Sequence, residues 1–165
     1  MNILKKNIKF LFSIFIVFCL SINLNLVYAA GSSDSGNNYT NLYKEAKRLV
    51  IRAKKLEEKN KIEKAKKLYL KANDKLEKAY AKDKKNADIL NYLGYTLRKT
   101  GNFEKAEKYY LKGLELDAGH LGINEYLGEL YIETGRIELA KERLTVLKGC
   151  NCEEYDELKE LIEKN

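Results

Sequence analysis

The hydrophobic positions after residue 45 recur three and four residues apart, as on a helix that buries one face. One predicted helix carries this pattern at Ile89, Leu90, Leu93 and Leu97. The next carries it at Phe103, Ala106, Tyr110 and Leu114. Only a short turn containing Gly101 separates the two helices, so they are expected to form an antiparallel hairpin. Gly101 is expected to adopt the left-handed conformation that ends the first helix.

This hairpin pattern returns after 34 residues. The segment Leu90-x-x-Leu93-Gly94-x-x-Leu97 is matched by Asn124-x-x-Leu127-Gly128-x-x-Tyr131. Likewise, Thr100-Gly101-Asn102-Phe103 is matched by Thr134-Gly135-Arg136-Ile137, and Ala106-x-x-x-Tyr110 by Ala140-x-x-x-Leu144. A fixed period of this length indicates a stack of helical hairpins. Gly94 and Gly128 are expected where two helices cross closely.

A degenerate hairpin precedes these two units. Asn60-Lys61-Ile62 stands where Gly101-Asn102-Phe103 stands later, and Ala65-x-x-x-Tyr69 mirrors Ala106-x-x-x-Tyr110. Ala65 and Ala106 are 41 residues apart, seven more than the period of 34. Seven residues are nearly two helical turns, so the same face of the helix still points towards the core. The pattern therefore predicts one long helix from Ile62 to about Lys82. A final amphipathic helix, from Glu153 to Lys164, would cap the stack.

The predicted fold class is all-α, a superhelical stack of about three helical hairpins with a C-terminal capping helix. The predicted segments are a signal peptide (1–29), a flexible tether (30–38), a degenerate hairpin (39–86), two regular repeats (87–120 and 121–152) and the capping helix (153–165).

The first segment has the pattern of an export signal. Basic residues precede an apolar run from Phe10 to Ile22, and a small residue at Ala29 favours cleavage after it. An uncleaved anchor is the alternative, but this run of 13 residues is shorter than the roughly 20 that cross a bilayer. A lipoprotein is disfavoured because Cys19 follows Phe18 rather than a small residue. The mature chain is therefore expected in the periplasm or outside the cell.

Charge is distributed unevenly over the predicted helices. Residues 44–85 contain 17 Lys or Arg and 7 Asp or Glu, whereas residues 88–165 contain 11 basic and 16 acidic residues. The basic half is interpreted either as a solvated helical face or as a surface that attracts an acidic partner or an anionic membrane. Nucleic acid is not an expected partner, because arginines and stacking aromatics do not cluster there.

The repeated motif resembles the tetratricopeptide repeat, whose signature is W-x-x-L-G-x-x-Y, then A-x-x-x-F, then P. Leu93-Gly94, Leu127-Gly128, Ala106 and Ala140 match it directly, whereas Ala118 and Cys152 replace the closing proline. Leu90 and Asn124 stand at the tryptophan position. As a whole, the chain resembles exported tetratricopeptide proteins of alphaproteobacteria, in which a cysteine pair leads into Cys-Glu-Glu-Tyr, here Cys152-Glu153-Glu154-Tyr155.

The resemblance implies a concave groove, lined by the outward faces of the first helix of each hairpin, that binds a protein or peptide. The residues implied on this face are Asp88, Asn91, Tyr95, Arg98 and Lys99 in the central unit and Glu125, Glu129, Ile132 and Glu133 in the next. Among them, Asn91, Tyr95 and Arg98 are the expected best contacts, because tyrosine and arginine are favoured binding anchors. The first hairpin would contribute Lys47, Val50, Lys54, Glu57 and Glu58 to the same face, so the groove would change sign along its length.

Cys150 and Cys152 are the two cysteines outside the predicted leader. Because the chain is expected to be exported to an oxidising compartment, one interpretation is a disulfide between them. Reduced, inert thiols and a redox or soft-metal site are the others. A metal site would need further ligands, and the single histidine, His120, is distant in sequence and is expected at a helix cap.

The sequence predicts no catalytic group, cofactor, bound metal or small-molecule substrate. After residue 38 the chain contains no serine, and its carboxylates occupy helix faces typical of solvated acids. The first functional hypothesis is an exported adaptor or scaffold that binds a peptide or helix of an envelope protein in its groove. The alternative is a thiol-redox or soft-metal-handling protein that uses Cys150 and Cys152.

Overall fold

The computed structural model describes residues 35–165, with side chains from residue 39 onward, so the predicted signal peptide lies outside the described residues. Within this range the secondary structure is seven α-helices and no strands. The helices are α1 (Ser35–Glu57), α2 (Ile62–Lys82), α3 (Ala87–Lys99), α4 (Phe103–Leu116), α5 (Leu121–Glu133), α6 (Ile137–Leu147) and α7 (Glu153–Glu163). They form three successive hairpins and a final helix, which confirms the predicted all-α stack. We call α1, α3 and α5 the first helices and α2, α4 and α6 the second helices.

All three hairpins turn in the same way. Asn60, Gly101 and Gly135 occupy corresponding positions, and each has a positive φ, of 53°, 87° and 74° respectively. In each turn the next residue donates its backbone N–H to a carbonyl five residues earlier in the chain, at 2.7–2.9 Å. This bond satisfies a carbonyl that the end of the helix leaves without a partner. The degenerate first hairpin therefore keeps the turn of the regular repeats, with asparagine in place of glycine.

The hairpins are joined by two buried clusters that run through the stack. The first cluster is centred on small and aromatic side chains of α1 to α3, namely Ala46, Val50, Ala53, Ala65, Tyr69, Ala72, Leu76, Ala79, Ile89, Leu93 and Tyr95. The second joins α4 to α6 through Ala106, Tyr110, Ile123, Leu127, Leu130, Tyr131 and Ala140. Tyr126 packs against both clusters, so the apolar core continues from one hairpin to the next.

The two glycines of the repeated motif lie at close helix contacts. A Cβ atom at Gly94 would overlap the ring of Tyr110, whose Cδ1 would be only 2.6 Å away. A Cβ at Gly128 would lie 2.6 Å from Cδ2 of Leu158 in the final helix. Both predicted close crossings are present, but they have different partners. Gly94 brings α3 against α4 within one hairpin, whereas Gly128 brings α5 against the capping helix α7.

Asn124 occupies the position of the signature tryptophan and is fully buried. Its side-chain nitrogen donates to the carbonyls of Ala118 at 3.1 Å and His120 at 3.0 Å. Arg143 donates to its oxygen at 3.4 Å. A buried amide is costly only when it has no hydrogen-bond partner, so these three contacts explain how a polar residue replaces an aromatic one here.

Two predicted boundaries differ from the structure. Helix α1 begins at Ser35, four residues inside the segment predicted as a flexible tether. Tyr39, Leu42 and Tyr43 pack against the first cluster, and an anchored helix adds a hydrogen bond for each further residue. The capping helix ends at Glu163, one residue before the predicted Lys164. The long helix predicted from Ile62 to Lys82 is confirmed. None of the described helices combines the length and apolarity needed to cross a bilayer.

Gly94→Leu is expected to destabilise the fold by about 1–3 kcal/mol, because the fully buried Tyr110 ring cannot move aside without disturbing the core. Thermal unfolding followed by circular dichroism measures the effect. Gly119→Ala is the matched control, since a Cβ there meets nothing nearer than Asp117 Oδ1 at 3.7 Å. Equal melting temperatures for the two variants would contradict the close crossing.

Candidate functional site

A cleft of about 560 Å³ lies along the first helices and reaches the start of α7. Its lining comes from all three hairpins and the capping helix, namely Tyr43, Lys47, Asp88, Asn91, Tyr92, Asp117, Gly119, His120, Leu121, Gly122, Glu125, Tyr126 and Glu154. Clefts of this size commonly bind ligands or segments of other chains. We refer to this feature as the cleft.

Three tyrosines, one on each first helix, line the cleft. The ring centroids of Tyr43 and Tyr92 are 5.7 Å apart in an edge-to-face arrangement, which links α1 to α3. Tyr126 continues the row on α5, with its centroid 4.8 Å from that of Tyr95. Such aromatic pairs are attractive beyond the area they bury. The row therefore holds the first helices together while leaving tyrosine surface in the cleft.

Two lysines of α1 lie over this tyrosine row. Lys47 Nζ is 5.5 Å from the centroids of both Tyr43 and Tyr92. Lys54, seven residues further along the helix, lies 5.1 Å from the centroid of Tyr95 and 5.7 Å from that of Tyr126. These are cation–π distances, so the ring faces provide a favourable environment for positive charge.

A smaller pocket of about 70 Å³ lies beside the cleft. It is lined by Val50, Ile51, Lys54, Tyr92, Tyr95 and Tyr126. Its volume suits one small apolar side chain, and Ile51 at its edge is half exposed. This pocket could receive an apolar anchor next to a segment lying in the cleft.

Glu125 is the buried carboxyl of the site, only 3% exposed. Burial is the main cause that raises its pKa, to about 9, and a hydrogen bond with Glu157 of α7 and the charge of Glu129 add to the rise. With this pKa, the Glu125 carboxyl is protonated near neutral pH.

His120 caps α5 at the edge of the cleft, as the sequence predicted. Its Nδ1 accepts a hydrogen bond from the backbone N–H of Ile123 at 3.2 Å. Its Nε2 lies 3.4 Å from Oδ1 of Asp88 on α3. His120 thus connects the second and third hairpins.

The sequence-predicted groove residues fall into two groups. Asn91 and Glu125 line the cleft, and Tyr95 lines the smaller pocket. All three are largely buried, at 7%, 3% and 4% exposure respectively, so only a small part of each side chain is accessible to a partner. Their role in binding a partner stays a prediction.

The second group consists of Arg98, Lys99, Glu129, Glu133 and Ile132. Its charged members all form ion pairs between neighbouring first helices. Arg98, whose side chain is 3% exposed, forms ion pairs with Glu129 at 2.6 Å and with Glu133. Lys99 pairs with Glu57 of α1 at 3.0 Å. Ile132, predicted on the same face, is half-buried.

Sequence reasoning missed the tyrosines of the cleft. Tyr92 and Tyr126 are 34 residues apart and therefore hold the same place in consecutive repeats. That recurrence was a usable signal, because equivalent positions on stacked hairpins lie on one surface. Tyr43 gave no such signal, since the first hairpin departs from the period.

Cys150 and Cys152 are joined by a disulfide in the turn before α7, and Cys152 is the N-cap residue of that helix. Among the described residues, no group of three or more His, Cys, Asp or Glu side chains is arranged to hold a metal ion. A redox or soft-metal role for the cysteine pair stays a hypothesis.

Glu125→Gln is expected to reduce the pH dependence of stability. The folded-state pKa lies near 9, above the ordinary 4.5, so the stabilisation is fully present below pH 4.5 and is lost as pH rises towards 9. The slope for one proton is at most about 1.4 kcal/mol per pH unit. Glutamine keeps a donor for Glu157 at every pH.

Denaturant unfolding between pH 5 and pH 9 measures this slope in the native sequence and in the variant. Glu142→Gln, an exposed carboxylate on α6, is the control and should leave the slope unchanged. A slope in Glu125→Gln equal to that of the native chain would show that Glu125 is ionised in the folded protein.

The family profile described as "Tetratricopeptide repeat" matches residues 87–120, the central hairpin. No curated protein matches the chain. Among solved structures, the first TPR of Spaghetti (RPAP3) bound to the HSP90 peptide SRMEEVD has a TM-score of 0.53 at 19% identity. That alignment covers 74% of this chain and 94% of that one. The second TPR domain of the human RPAP3 protein in complex with the HSP70 peptide SGPTIEEVD has a TM-score of 0.51 at 20% identity, covering 77% and 99%.

At these identities the likeness establishes the fold. The matched hairpin supplies Gly94, Gly101 and Ala106, the residues on which the repeat assignment rests. The described part of the chain therefore has the helical-hairpin fold of tetratricopeptide repeat proteins, and its central hairpin, residues 87–120, is similar in sequence to that repeat.

Proposed function

We propose that this chain is an exported, non-catalytic adaptor that binds a segment of another polypeptide in the cleft. The observation that carries the proposal is the composition of the cleft wall. Each first helix contributes to it and supplies one lining tyrosine, Tyr43 on α1, Tyr92 on α3 and Tyr126 on α5. Tyrosine is favoured at the centres of protein interfaces because it combines a large apolar area with a hydroxyl group.

The dimensions suit an extended peptide or one face of a helix. The cleft of about 560 Å³ continues beside the smaller pocket of about 70 Å³, so an apolar anchor and neighbouring polar residues could be held together. Both solved relatives are complexes with short peptides, which supports a peptide as the class of ligand. The stacked tyrosines and paired charges pre-form the wall, which lowers the cost of ordering it on binding.

Export to the periplasm or the cell exterior is part of the proposal. It is supported by the basic start, the apolar run from Phe10 to Ile22 and the small residue at Ala29. The expected partner is then an envelope protein with an accessible segment.

Gly119→Trp is expected to block the cleft without unfolding the chain. Gly119 lines the cleft in an open region, where a Cβ meets nothing nearer than 3.7 Å. Affinity capture from an envelope fraction with the full chain should lose its specific proteins in this variant. Ala118→Trp, one residue earlier and outside the cleft lining, is the matched control and should retain them. Equal capture by both variants would place the partner surface elsewhere.

Chain purified from the envelope fraction is expected to begin at Ala30. Intact mass and N-terminal sequencing would establish this. Ala29→Arg should prevent processing, because the peptidase pocket accepts only small residues at that position. A purified chain that still begins at Met1 would contradict cleavage and favour the uncleaved anchor.

A further inference from the structure

Three carboxylates give the cleft a negative wall. Asp88 lies in the first turn of α3, Asp117 in the turn after α4 and Glu154 in the first turn of α7. Among the described residues, neither Asp117 nor Glu154 has an ion-pair partner, and the only pairing group near Asp88 is His120.

Lys47 is the single lysine or arginine among the lining residues. It lies over Tyr43 and Tyr92 and forms no ion pair within the described chain. The lining therefore keeps an excess of negative charge near neutral pH. The position of Lys47 also shows that this tyrosine pair accepts an ammonium group.

A buried hydrogen-bond acceptor points to the same kind of ligand. Asn91 lines the cleft and is only 7% exposed, and its Oδ1 has no hydrogen-bond partner. Buried polar atoms without partners are uncommon in folded proteins, because each costs the free energy of its lost hydration. Because Oδ1 itself has almost no accessible surface, a ligand in the cleft would donate to it only after the amide group turns towards the cleft.

We propose that the cleft recognises a basic segment of the partner, with a lysine or arginine side chain bound between the tyrosine row and Asp88, Asp117 and Glu154. This inference rests on the proposed function and specifies the partner's chemistry. The carboxylates select for positive charge, the tyrosine faces stabilise it by cation–π contact, and Asn91 Oδ1 accepts a donor.

The competing outcome is that the cleft binds an acidic segment. Lys47 and Lys54 both lie on the α1 side of the tyrosine row, and among the described residues neither forms an ion pair. An acidic segment would use these two lysines. It would also bring its carboxylates close to Asp88 and Glu154, where like charges repel. The carboxylates around the larger cleft outnumber its lysine, so a basic segment is favoured.

The test uses three fluorescein-labelled peptides that differ only at the same few positions, which carry lysine, glutamine or glutamate. Fluorescence anisotropy with the full chain gives the three dissociation constants. The lysine peptide is expected to bind about 10-fold more tightly than the glutamine peptide, and the glutamate peptide more weakly than both. Higher salt should reduce the lysine preference.

Asp88→Asn with Glu154→Gln should bring lysine-peptide affinity down to that of the glutamine peptide. The matched control is Glu104→Gln with Glu138→Gln, which also removes two first-turn acids but on the second helices α4 and α6, outside the cleft. That variant should bind within about two-fold of the native chain. Circular dichroism checks that both double variants stay helical.

The outcomes separate the two proposals. If no peptide of any charge binds, the adaptor function fails together with this inference. If peptides bind and Gly119→Trp abolishes binding, but the glutamine or glutamate peptide binds as tightly as the lysine peptide, the cleft is a peptide site and only its charge preference is wrong. An equal loss in both double variants would also overturn the inference.

Discussion

The stack depends on close contact at one repeated position of the first helices. Ala53, Gly94 and Gly128 hold this position in the three hairpins, and only the two glycines lack a Cβ atom. The ring of Tyr110 fills the space against Gly94, whereas Leu158 of the capping helix fills the space against Gly128. Leu144 occupies in the last hairpin the position that Tyr110 occupies in the central one. In the third hairpin, Leu158 of the capping helix therefore fills the space that Tyr110 fills in the central hairpin.

This contact brings α3 close to α4 and α5 close to α7. With the first helices in regular register, residues one period apart become neighbours on one wall, as Tyr92 and Tyr126 are. The period alone made the fold predictable, including the turns at Gly101 and Gly135. Asn60 could be placed by the same alignment, because asparagine is among the few residues that tolerate a left-handed backbone. The start of α1 was less predictable, since Ser35–Asn38 have no apolar pattern.

The candidate site was predictable only in part, because periodicity identifies a helix face but not what lies across from it. Arg98 and Glu129 were both placed on the groove face, yet they pair with each other between α3 and α5. Breaking a buried pair leaves the remaining charge without a partner, so Arg98 belongs to the architecture of the wall. Reversing its charge would perturb folding as well as binding, which makes it a poor probe of partner contact. Residues at the cleft edge, such as Asp88 and Gly119, separate the two effects better.

The cleft also shows that equivalent positions of two repeats can have different chemical environments. Asn91 and Glu125 are equivalent by repeat, but they meet different neighbours because, in the part of the chain that the structure describes, the capping helix packs against α5 and α6 of the last hairpin. Burial and the neighbouring Glu157 of the capping helix raise the pKa of Glu125 to about 9, so this carboxyl of the cleft wall is neutral at physiological pH. Glu154 lies one turn earlier on that same capping helix and faces the cleft. The segment that closes the core therefore also supplies charge to the cleft, so the stability of the cap and the selectivity of the cleft depend on the same helix.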